Sequence, residues 1–408
     1  MARFPIRPRL AAFAAAVLLV HVPSSSPAGA CTTAVVAPPA SRTGRPLLWK
    51  SRDADGTDNQ VVFLSDGRYP YVGLVNRGDA AGLQIWAGIN AAGFGIMNSA
   101  SFNLGEGETS GEGTFMKLAL QSCASVEEFE ALLVRTNPGG RDVAANFGVI
   151  DARGGAASFE TSKKGYVRVD AATANDGAKG LLVRTNYSRS GAKDAGTGFL
   201  REARAISLLT PAAAGGLDLA SLLRAARDVA NPAIGSTGEE PGPPLVYTGD
   251  SVCRIDTVAA VVLEAPAAGE RPEAAAMWVA PSLPIVSPAV PVFPAALAVP
   301  AALASGVEPS PLCRAPLSLR GRLYPDERGD KRRYMDRGVL AAVRAHAGPL
   351  LLAAEEDTFR AVEAARAAWR KAAPAAADLR TLAESAAARA LAAAEAAEAA
   401  ATKALAPR

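Results

Sequence analysis

Short runs of alternating apolar and polar residues dominate positions 31 to about 100. The runs TAVVA, PLLWK, QVVFL, YPYVGLV, LQIWA and GFGIM are rich in β-branched or aromatic residues, and Gly, Pro, Asn and Asp separate them. This pattern predicts short strands joined by turns. A second group (ANFGVIDA, AASFETS, GYVRVDA, GLLVRTN) and a third (DSVCRIDTVAAVVLEA, AAMWVA) repeat the pattern further along the chain.

Segments with helical spacing separate these strand groups. TFMKLALQSC is one, and SVEEFEALLVRT begins with a capping box from Ser125 to Glu128. LREARAISLL and LDLASLLRAARDVA have the pattern of amphipathic helices. The order strands, helices, strands, helices, strands predicts an α+β fold built in layers, with mostly antiparallel sheets.

The composition changes after residue 280. Residues 281–325 are rich in proline and alanine, which predicts an extended wrap or linker because proline cannot donate to a strand ladder. Beyond Asp326, segments rich in Ala, Glu, Arg and Leu predict helices, with Phe359, Val362 and Trp369 on one face. We divide the chain into 1–30, 31–290 (main domain), 291–325 (wrap or linker) and 326–408 (helical extension). The extension packs on the domain or serves association, and a membrane-binding helix is the alternative.

The first 30 residues have the pattern of a secretory signal. Three arginines precede the apolar stretch LAAFAAAVLLVHV, which is too short to span a bilayer comfortably. Ala28-Gly29-Ala30 is a small-x-small cleavage site, so we expect cleavage after Ala30 and a secreted or periplasmic protein that begins at Cys31. The alternatives are a retained anchor and a lipoprotein with its lipid on Cys31, although Ala28 is smaller than the residue a lipoprotein signal prefers.

Charge and cysteine content narrow the class further. The 43 Lys and Arg exceed the 40 Asp and Glu by the three arginines of the signal, so the mature chain is balanced and carries no nucleic-acid footprint. No later apolar run predicts a transmembrane helix. The expected partner is a small-molecule substrate, and a homo-oligomer stays open. An oxidising compartment permits disulfides, but with Cys31 as a thiol at most one pair can form among Cys123, Cys253 and Cys313, and buried thiols are the alternative.

The position of Cys31 suggests a nucleophile that carries its own base. The chain has two histidines, His21 in the signal and His346 in the tail, which argues against a Cys-His pair and a histidine-rich metal site. The α-amine of an N-terminal residue, with an ordinary pKa of about 7.7–8.0, can accept the thiol proton. Cleavage after Ala30 would therefore create nucleophile and base on one residue, and we expect no metal or organic cofactor.

Five motifs in order then resemble a known family. CTTAVV…LLWKSRDAD, GINAAGFGIMNSAS, ANFGVIDARGGAASFET, RTNYS and DSVCRID are similar to the linear amide C–N hydrolases. These include choloylglycine hydrolase, penicillin V acylase and the acyl-coenzyme A:6-aminopenicillanic acid acyltransferases, and they belong to the N-terminal nucleophile (Ntn) hydrolases. The resemblance covers residues 31–290, about two-thirds of the chain. It implies a four-layer αββα sandwich and hydrolysis of a non-peptide amide through an acyl-enzyme.

The resemblance also implies roles for single residues. Cys31 takes the place of the nucleophile, and Asp53 that of the aspartate that contacts its amine. Lys50 stands where choloylglycine hydrolases have an arginine, and the neighbouring Arg52 is the other candidate for that cation. The remaining matches are two oxyanion-site asparagines and a late arginine: Asn98, Asn186 and Arg254.

Each of these residues also has a structural interpretation. Asp53 and Arg52 fit a solvated turn, Asn98 a turn, Asn186 a strand-end cap, and Arg254 an exposed strand position. Three further functions stay open: an acyltransferase, a dipeptidase of the related cysteine group, and a lipid-anchored binding protein. We expect the pocket-lining side chains on loops near Tyr69, Phe102 and Tyr187.

Overall fold

The structure is a computed structural model that describes residues 30–105, 110–233, 235–304, 306, 308–326 and 333–406. The predicted signal segment, apart from Ala30, lies outside the described residues. The strands are β1 (Thr32–Val36), β2 (Leu47–Asp53), β3 (Asn59–Leu64), β4 (Tyr71–Asn76), β5 (Ala87–Asn90), β6 (Gly95–Ala100), β7 (Ala145–Ile150), β8 (Ala156–Thr161), β9 (Tyr166–Asp170), β10 (Leu181–Arg184), β11 (Leu245–Tyr247), β12 (Thr257–Glu264), β13 (Ala276–Ala280), β14 (Val290–Val292) and β15 (Tyr334–Asp336).

The α-helices account for most of the remaining regular structure. They are α1 (Glu112–Ser122), α2 (Val126–Thr136), α3 (Phe199–Ala213), α4 (Leu219–Ala226), α5 (Pro311–Arg314), α6 (Leu317–Leu323), α7 (Arg337–Ala342), α8 (Gly348–Trp369) and α9 (Ala376–Ala404). A π-helical turn, Val343–Ala347, joins α7 to α8.

Two antiparallel sheets lie face to face. One has the strand order β10-β1-β2-β12-β13-β14, and the other runs from β3 to β9 in chain order. Because side chains alternate along a strand, β1 and β2 supply both sides of their sheet. Val35 and Leu48 enter the core between the sheets, whereas Val36 and Trp49 enter the core under α3, α4, α8 and α9.

The second sheet is covered in the same way. Phe147 and Phe159 on its outer face pack against Phe115 of α1 and Phe129 of α2, with ring centroids 5.2–5.9 Å apart. Helices, two sheets and helices therefore form four layers, and the predicted αββα sandwich is confirmed. The polar residues discussed below lie at its strand ends and on the inner faces of its sheets.

Two local predictions are wrong and a third, the capping box, is half confirmed, each for an identifiable reason. LQIWA is not a strand before Ala87, because the Asp79 carboxylate accepts the backbone N–H groups of Leu83 and Gln84 and closes a turn. In the capping box, Ser125 accepts from the N–H of Glu128, but the Glu128 carboxylate accepts from Ala124 instead of the cap residue. Tyr334–Asp336, predicted helical, pairs with β11 as a strand.

The proline-rich and C-terminal segments lie against the sandwich. Proline did not prevent strand pairing at Val290–Val292, which forms the edge strand β14, the position in a sheet that tolerates proline. Phe359 packs on Trp278 and Trp369 on Phe293, at centroid distances of 5.1 and 5.7 Å, so the predicted apolar face of α8 is confirmed. No described helix is apolar enough over sufficient length to cross a membrane. The domain limits at 290 and 325 stay a prediction.

Candidate active site

Antiparallel pairing brings four strand ends to one edge of the six-stranded sheet. Cys31 directly precedes β1, and the register Thr32 with Ser51 places it beside the end of β2. β10 ends on the other side of β1, two residues before Asn186, and β12 begins at Thr257 opposite Asp53. Residues far apart in sequence therefore meet at this edge because of register alone.

The alternation of side chains decides which of them face the space between the sheets. Val35 and Leu48 point into that space, so Cys31, Lys50 and Arg52 lie on the same side of their strands. All three are buried, with at most 5% of their surface exposed. The strand pattern thus places a thiol and two cations together in the interior.

Asp53 and Arg254 form a buried ion pair at this edge. The Nε and Nη2 atoms of Arg254 lie 2.9 and 2.8 Å from Oδ2 of Asp53, and Thr257 Oγ1 donates to the other carboxylate oxygen at 2.7 Å. Burial raises the pKa of Asp53 despite the opposing effects of Arg254, Arg201 and Thr257. The Arg254 guanidinium also donates from Nη2 to the carbonyl oxygen of Ala30 at 3.2 Å. One guanidinium therefore spans Asp53 and the peptide group that precedes Cys31.

Lys50 is held by neutral acceptors. Its Nζ donates to Oδ1 of Asn98 at 2.7 Å and to the carbonyl oxygen of Trp86 at 2.8 Å. The pKa of Lys50 is lowered to about 8 by complete burial, against the opposing effect of a Cys31 thiolate and with a smaller contribution from the nearby charge of Arg52. Asn98 is thus oriented by a cation that can only donate, which directs the Asn98 amide nitrogen away from Lys50.

The side-chain hydrogen bonds of Arg52 to described residues likewise go to neutral acceptors. Its guanidinium donates to Oδ1 of Asn59 and, at 2.6 Å, to Oδ1 of Asn76, and it lies 5.1 Å from the ring centroid of Trp86. Burial lowers the pKa of Arg52 to about 10, so the guanidinium stays charged at neutral pH. The indole N–H of Trp86 is buried and has no acceptor among the described residues.

Asn186 lies on the far side of Cys31 from β2. It is fully buried, and its Nδ2 donates to the carbonyl oxygen of Ala100 on β6 at 3.0 Å. The residues on either side of it are held by Asn146, whose amide donates to the carbonyl oxygens of Thr185 and Tyr187 at 3.1 and 3.0 Å. Asn146 belongs to the ANFGVID motif, but the sequence assigned it no role.

The sequence analysis missed Arg201. This residue of α3 is 2% exposed, and its Nη1 donates to the carbonyl oxygen of Cys31 at 2.8 Å and to Thr32 Oγ1 at 2.9 Å. Its Nη2 donates to Oδ1 of Asn186 at 2.8 Å. The amphipathic pattern predicted the helix, but it gave no sign that an arginine in the first turn is buried.

The other cysteines differ from Cys31 in their surroundings. Burial raises the pKa of the thiols of Cys123 and Cys313 to about 11, and that of Cys253 to about 12. These thiols are therefore protonated at neutral pH and unsuited to nucleophilic attack. No disulfide joins any of the four cysteines, all of which are described, so the interpretation as buried thiols holds for these three.

The structure brings all seven predicted site residues to this edge of the sandwich. Cys31, Asp53, Asn186 and Arg254 are linked there through the hydrogen bonds of two guanidiniums, and Lys50, Arg52 and Asn98 face the same interior. None is the solvated turn or exposed strand position of the alternative interpretation, since each is buried except Arg254, whose side chain is 11% exposed. Within the described part of the chain, no group of three or more His, Cys, Asp or Glu residues is arranged to hold a metal ion.

Comparisons with known proteins bear on the fold only. No family model and no curated protein matches the chain. Among solved structures, it is similar to a Caenorhabditis elegans ortholog of N-acylethanolamine-hydrolyzing acid amidase, with 16% identity and a TM-score of 0.39 over 57% of this chain and 92% of that one. It is also similar to a variant of conjugated bile acid hydrolase from Clostridium perfringens, with 13% identity and a TM-score of 0.38 over 61% of this chain and 88% of that one.

A third similar structure is penicillin V acylase from Agrobacterium tumefaciens, with 16% identity and a TM-score of 0.38 over 64% of this chain and 86% of that one. These names describe an amidase, a hydrolase and an acylase, and the activities are those of the named proteins. TM-scores this low assign neither a substrate nor a role to any residue.

Proposed function

We propose that the chain is an exported cysteine amidohydrolase that cleaves a linear amide through an acyl-enzyme on Cys31. The observation that carries the proposal is the meeting of Cys31 with Asp53, Asn186 and Arg254 at one edge of the sheet. The guanidinium that pairs with Asp53 also binds the carbonyl oxygen of Ala30. Cleavage after Ala30 would leave the new α-amine of Cys31 within reach of that ion pair.

The proposed chemistry needs only groups of this chain and water. The α-amine takes the proton of the Cys31 thiol, and the sulfur forms a bond to the acyl carbon. Asn186 and Asn98 donate to the oxygen that becomes negative. The C–N bond then breaks as the amine proton moves to the leaving nitrogen, and water, deprotonated by the same amine, hydrolyses the thioester.

An apolar acyl group fits the surroundings of Asn186. Phe102, whose backbone N–H donates to the Asn186 carbonyl oxygen at 3.2 Å, is 47% exposed. Tyr187 follows Asn186 and stacks on Phe199 at a centroid distance of 4.3 Å, and Phe199 and Leu200 are 45% and 42% exposed. Exposed apolar groups beside buried polar groups favour a ligand-binding surface. We therefore propose an N-acyl amide with an apolar acyl chain as the substrate.

The test combines mass and activity. We expect the exported protein to begin at an unmodified Cys31 and to cleave N-acyl amides with apolar acyl groups. Cys31→Ala should abolish cleavage, and the wild type should gain the mass of the acyl group during turnover. Cys123→Ala is the matched control because its buried thiol is protonated, and it should keep wild-type activity.

Each alternative has its own outcome in the same experiment. Lipid on Cys31, or a start at another residue, would contradict the mechanism. Cleavage of dipeptides in place of N-acyl amides would indicate the dipeptidase. Transfer of the acyl group to an added amine at the expense of hydrolysis would indicate the acyltransferase.

A further inference from the structure

One guanidinium connects the two residues whose relative position the proposed reaction depends on most. Arg201 donates to the carbonyl oxygen of Cys31 at 2.8 Å and to the side-chain oxygen of Asn186 at 2.8 Å. We propose that Arg201 is a positioning residue that sets the Asn186 amide as an oxyanion donor facing the acyl group on Cys31. This inference rests on the proposed function, and it concerns a residue that the sequence motifs did not include.

The hydrogen-bond inventory fixes which way the Asn186 amide points. A guanidinium has five N–H donors and no acceptor, so the atom of Asn186 that faces Arg201 is Oδ1. The nitrogen then faces the opposite side, where one of its two N–H bonds goes to the carbonyl oxygen of Ala100 at 3.0 Å. The second N–H has no acceptor among the residues that the structure describes, so it can donate to a ligand. Without Arg201, the amide could rotate and present its oxygen, which would repel an oxyanion.

The backbone of α3 is built to admit this guanidinium. Gly198, the N-cap of the helix, has φ = 94°, which favours glycine. A Cβ added at Gly198 would lie 2.6 Å from Nη2 of Arg201 and 2.7 Å from Oγ1 of Thr185. The position therefore needs glycine both for its conformation and for the space that Arg201 occupies.

Arg201 is a poor choice for stability alone, which argues for a role in the site. Burial and, to a smaller extent, the charge of Arg254 lower the pKa of Arg201 to about 10. Its three described hydrogen bonds go to neutral oxygen atoms. A buried cation held by neutral acceptors costs folding free energy, and here it gains contact with the nucleophile residue and with Asn186.

The central experiment is a double-mutant cycle in the exported protein. Arg201→Met should lower kcat about 100-fold, the scale for losing one oxyanion donor, with KM changed less than about threefold because ground-state binding does not use that donor. In an Asn186→Ala background the same change should cost less than about threefold, since the residue through which Arg201 acts is gone. Arg201→Lys should recover part of kcat, because it keeps the charge but loses the fork.

Two controls separate positioning from folding. Arg204→Met removes another arginine of α3, which pairs with Asp228 away from Cys31, and should leave kcat unchanged. Gly198→Ala should displace the guanidinium and lower kcat while Arg201 itself is retained. Gly44→Ala carries a similar backbone strain at φ = 70° with no neighbour within 4 Å, and should have no effect on kcat.

A readout without substrate keeps the inference distinct from the proposed function. The charged groups that interact electrostatically with Cys31 are Lys50, Arg52, Arg201 and Arg254, with Asp53 nearby. Loss of the Arg201 charge should slow the alkylation of Cys31 by iodoacetamide at a fixed pH, because a positive charge near a sulfur atom favours the reactive thiolate, and Arg201→Lys should not slow it. A wild type that cleaves no amide, together with this slower alkylation, would overturn the amidase but support Arg201 as the residue that positions Cys31.

Other outcomes overturn the inference itself. Equal kcat in wild type and Arg201→Met, or full additivity with Asn186→Ala, would show that Asn186 does not depend on Arg201. Loss of activity in Arg204→Met as large as in Arg201→Met would assign the effect to the helix. If Arg201→Met fails to fold, Gly198→Ala and Gly44→Ala decide the question in its place.

Discussion

The central strands β2 and β12 have a cluster of buried charged residues at each end. The charges are paired in one cluster, whereas most cations of the other are held by neutral acceptors. At one end, Arg45 donates to Glu270 through two bonds of 2.7 Å, and Glu264 accepts from Arg366 at 2.5 Å. At the other end lies the Cys31 site. The register pairs Glu264 with Leu47 and Thr257 with Asp53, so the clusters are roughly 20 Å apart along the same strands.

The pKa shifts show the difference. In the Arg45 cluster burial is outweighed by ion pairing, so the pKa of Glu264 and of Glu270 is lowered and that of Arg45 is raised. At the Cys31 site burial dominates, so Lys50, Arg52 and Arg201 have lowered pKa values and Asp53 a raised one. Arg254 is the exception among these residues, because Asp53 raises its pKa against the effect of burial, as the ion pairs do in the Arg45 cluster.

This comparison separates a structural use of buried charge from a functional one. Balanced partners stabilise the fold and connect α8 to the sheet. Buried cations with neutral acceptors lower the stability of the fold, but they can stabilise a negatively charged reaction intermediate. Active sites often lose stability and gain activity in this way. The predictions below compare the two ends, from the largest expected effect to the smallest.

The largest effect on stability should follow Glu264→Gln. Glu264 is 2% exposed, and it accepts from Arg366, Arg45 and Trp278 at 2.5, 3.4 and 3.3 Å. Neutralising it leaves two buried guanidiniums short of a partner, so the free energy of unfolding should fall by about 3–5 kcal/mol. Urea denaturation measures this loss, and activity per folded molecule should not change.

Glu363 provides the matched control in the same cluster. Its side chain is 50% exposed, although it accepts from Arg45 and Arg366 at 2.9 and 2.7 Å. Glu363→Gln should therefore cost about 0–1 kcal/mol. Equal losses in the two variants would mean that burial does not distinguish these carboxylates, and the comparison of the two ends would lose its basis.

The same substitution at the other end should have the reverse profile. Asp53→Asn removes a carboxylate whose charge is disfavoured by burial, as its raised pKa shows, so the free energy of unfolding should fall less than in Glu264→Gln. Activity should fall about 100-fold or more, because Asp53 would no longer orient the α-amine. Parallel assays of urea stability and kcat on Asp53→Asn and Glu264→Gln check this contrast. A stability loss in Asp53→Asn equal to that of Glu264→Gln would contradict it.

The sequence predicted these two ends unequally well. Cys31 followed from its position after a cleavage motif, and the resemblance supplied Asp53, Asn186 and Arg254 because motifs are local in sequence. The Arg45 cluster was not predicted, since Arg45 lies 219 residues from Glu264 and Glu264 lies 102 from Arg366. Only strand register and the docking of α8 bring these residues together.

Arg201 and the strand errors have a similar explanation. An arginine in an amphipathic helix is normally exposed, and only the Gly198 conformation and the Asn186 loop make Arg201 a buried residue. The layered fold was predictable because alternation and helical spacing repeat over many residues. Tyr334–Asp336 was not, because its strand forms only by pairing with β11, which lies far away in sequence.

The smallest effect concerns stability at alkaline pH and isolates Lys50. Burial lowers the pKa of Lys50 from 10.5 to about 8. Above about pH 8 the folded protein releases this proton while the unfolded chain keeps it, so the unfolded state binds more protons and stability rises with pH. At 1.36 kcal/mol per unit, the rise from about pH 8 to about pH 9.5 is at most about 2 kcal/mol.

Lys50→Met removes that rise and tests its origin. The free energy of unfolding is measured by urea denaturation at each pH for both proteins. The difference between wild type and variant should increase up to about pH 9.5, which lies below the range where Arg52 and Arg201 would contribute. Lys164→Met, at an exposed lysine, should leave the wild-type slope unchanged. If Lys50→Met keeps the rise in stability at alkaline pH, Lys50 is not a buried cation without a counterion. The charges at the Cys31 site would then be as well balanced as those of the Arg45 cluster.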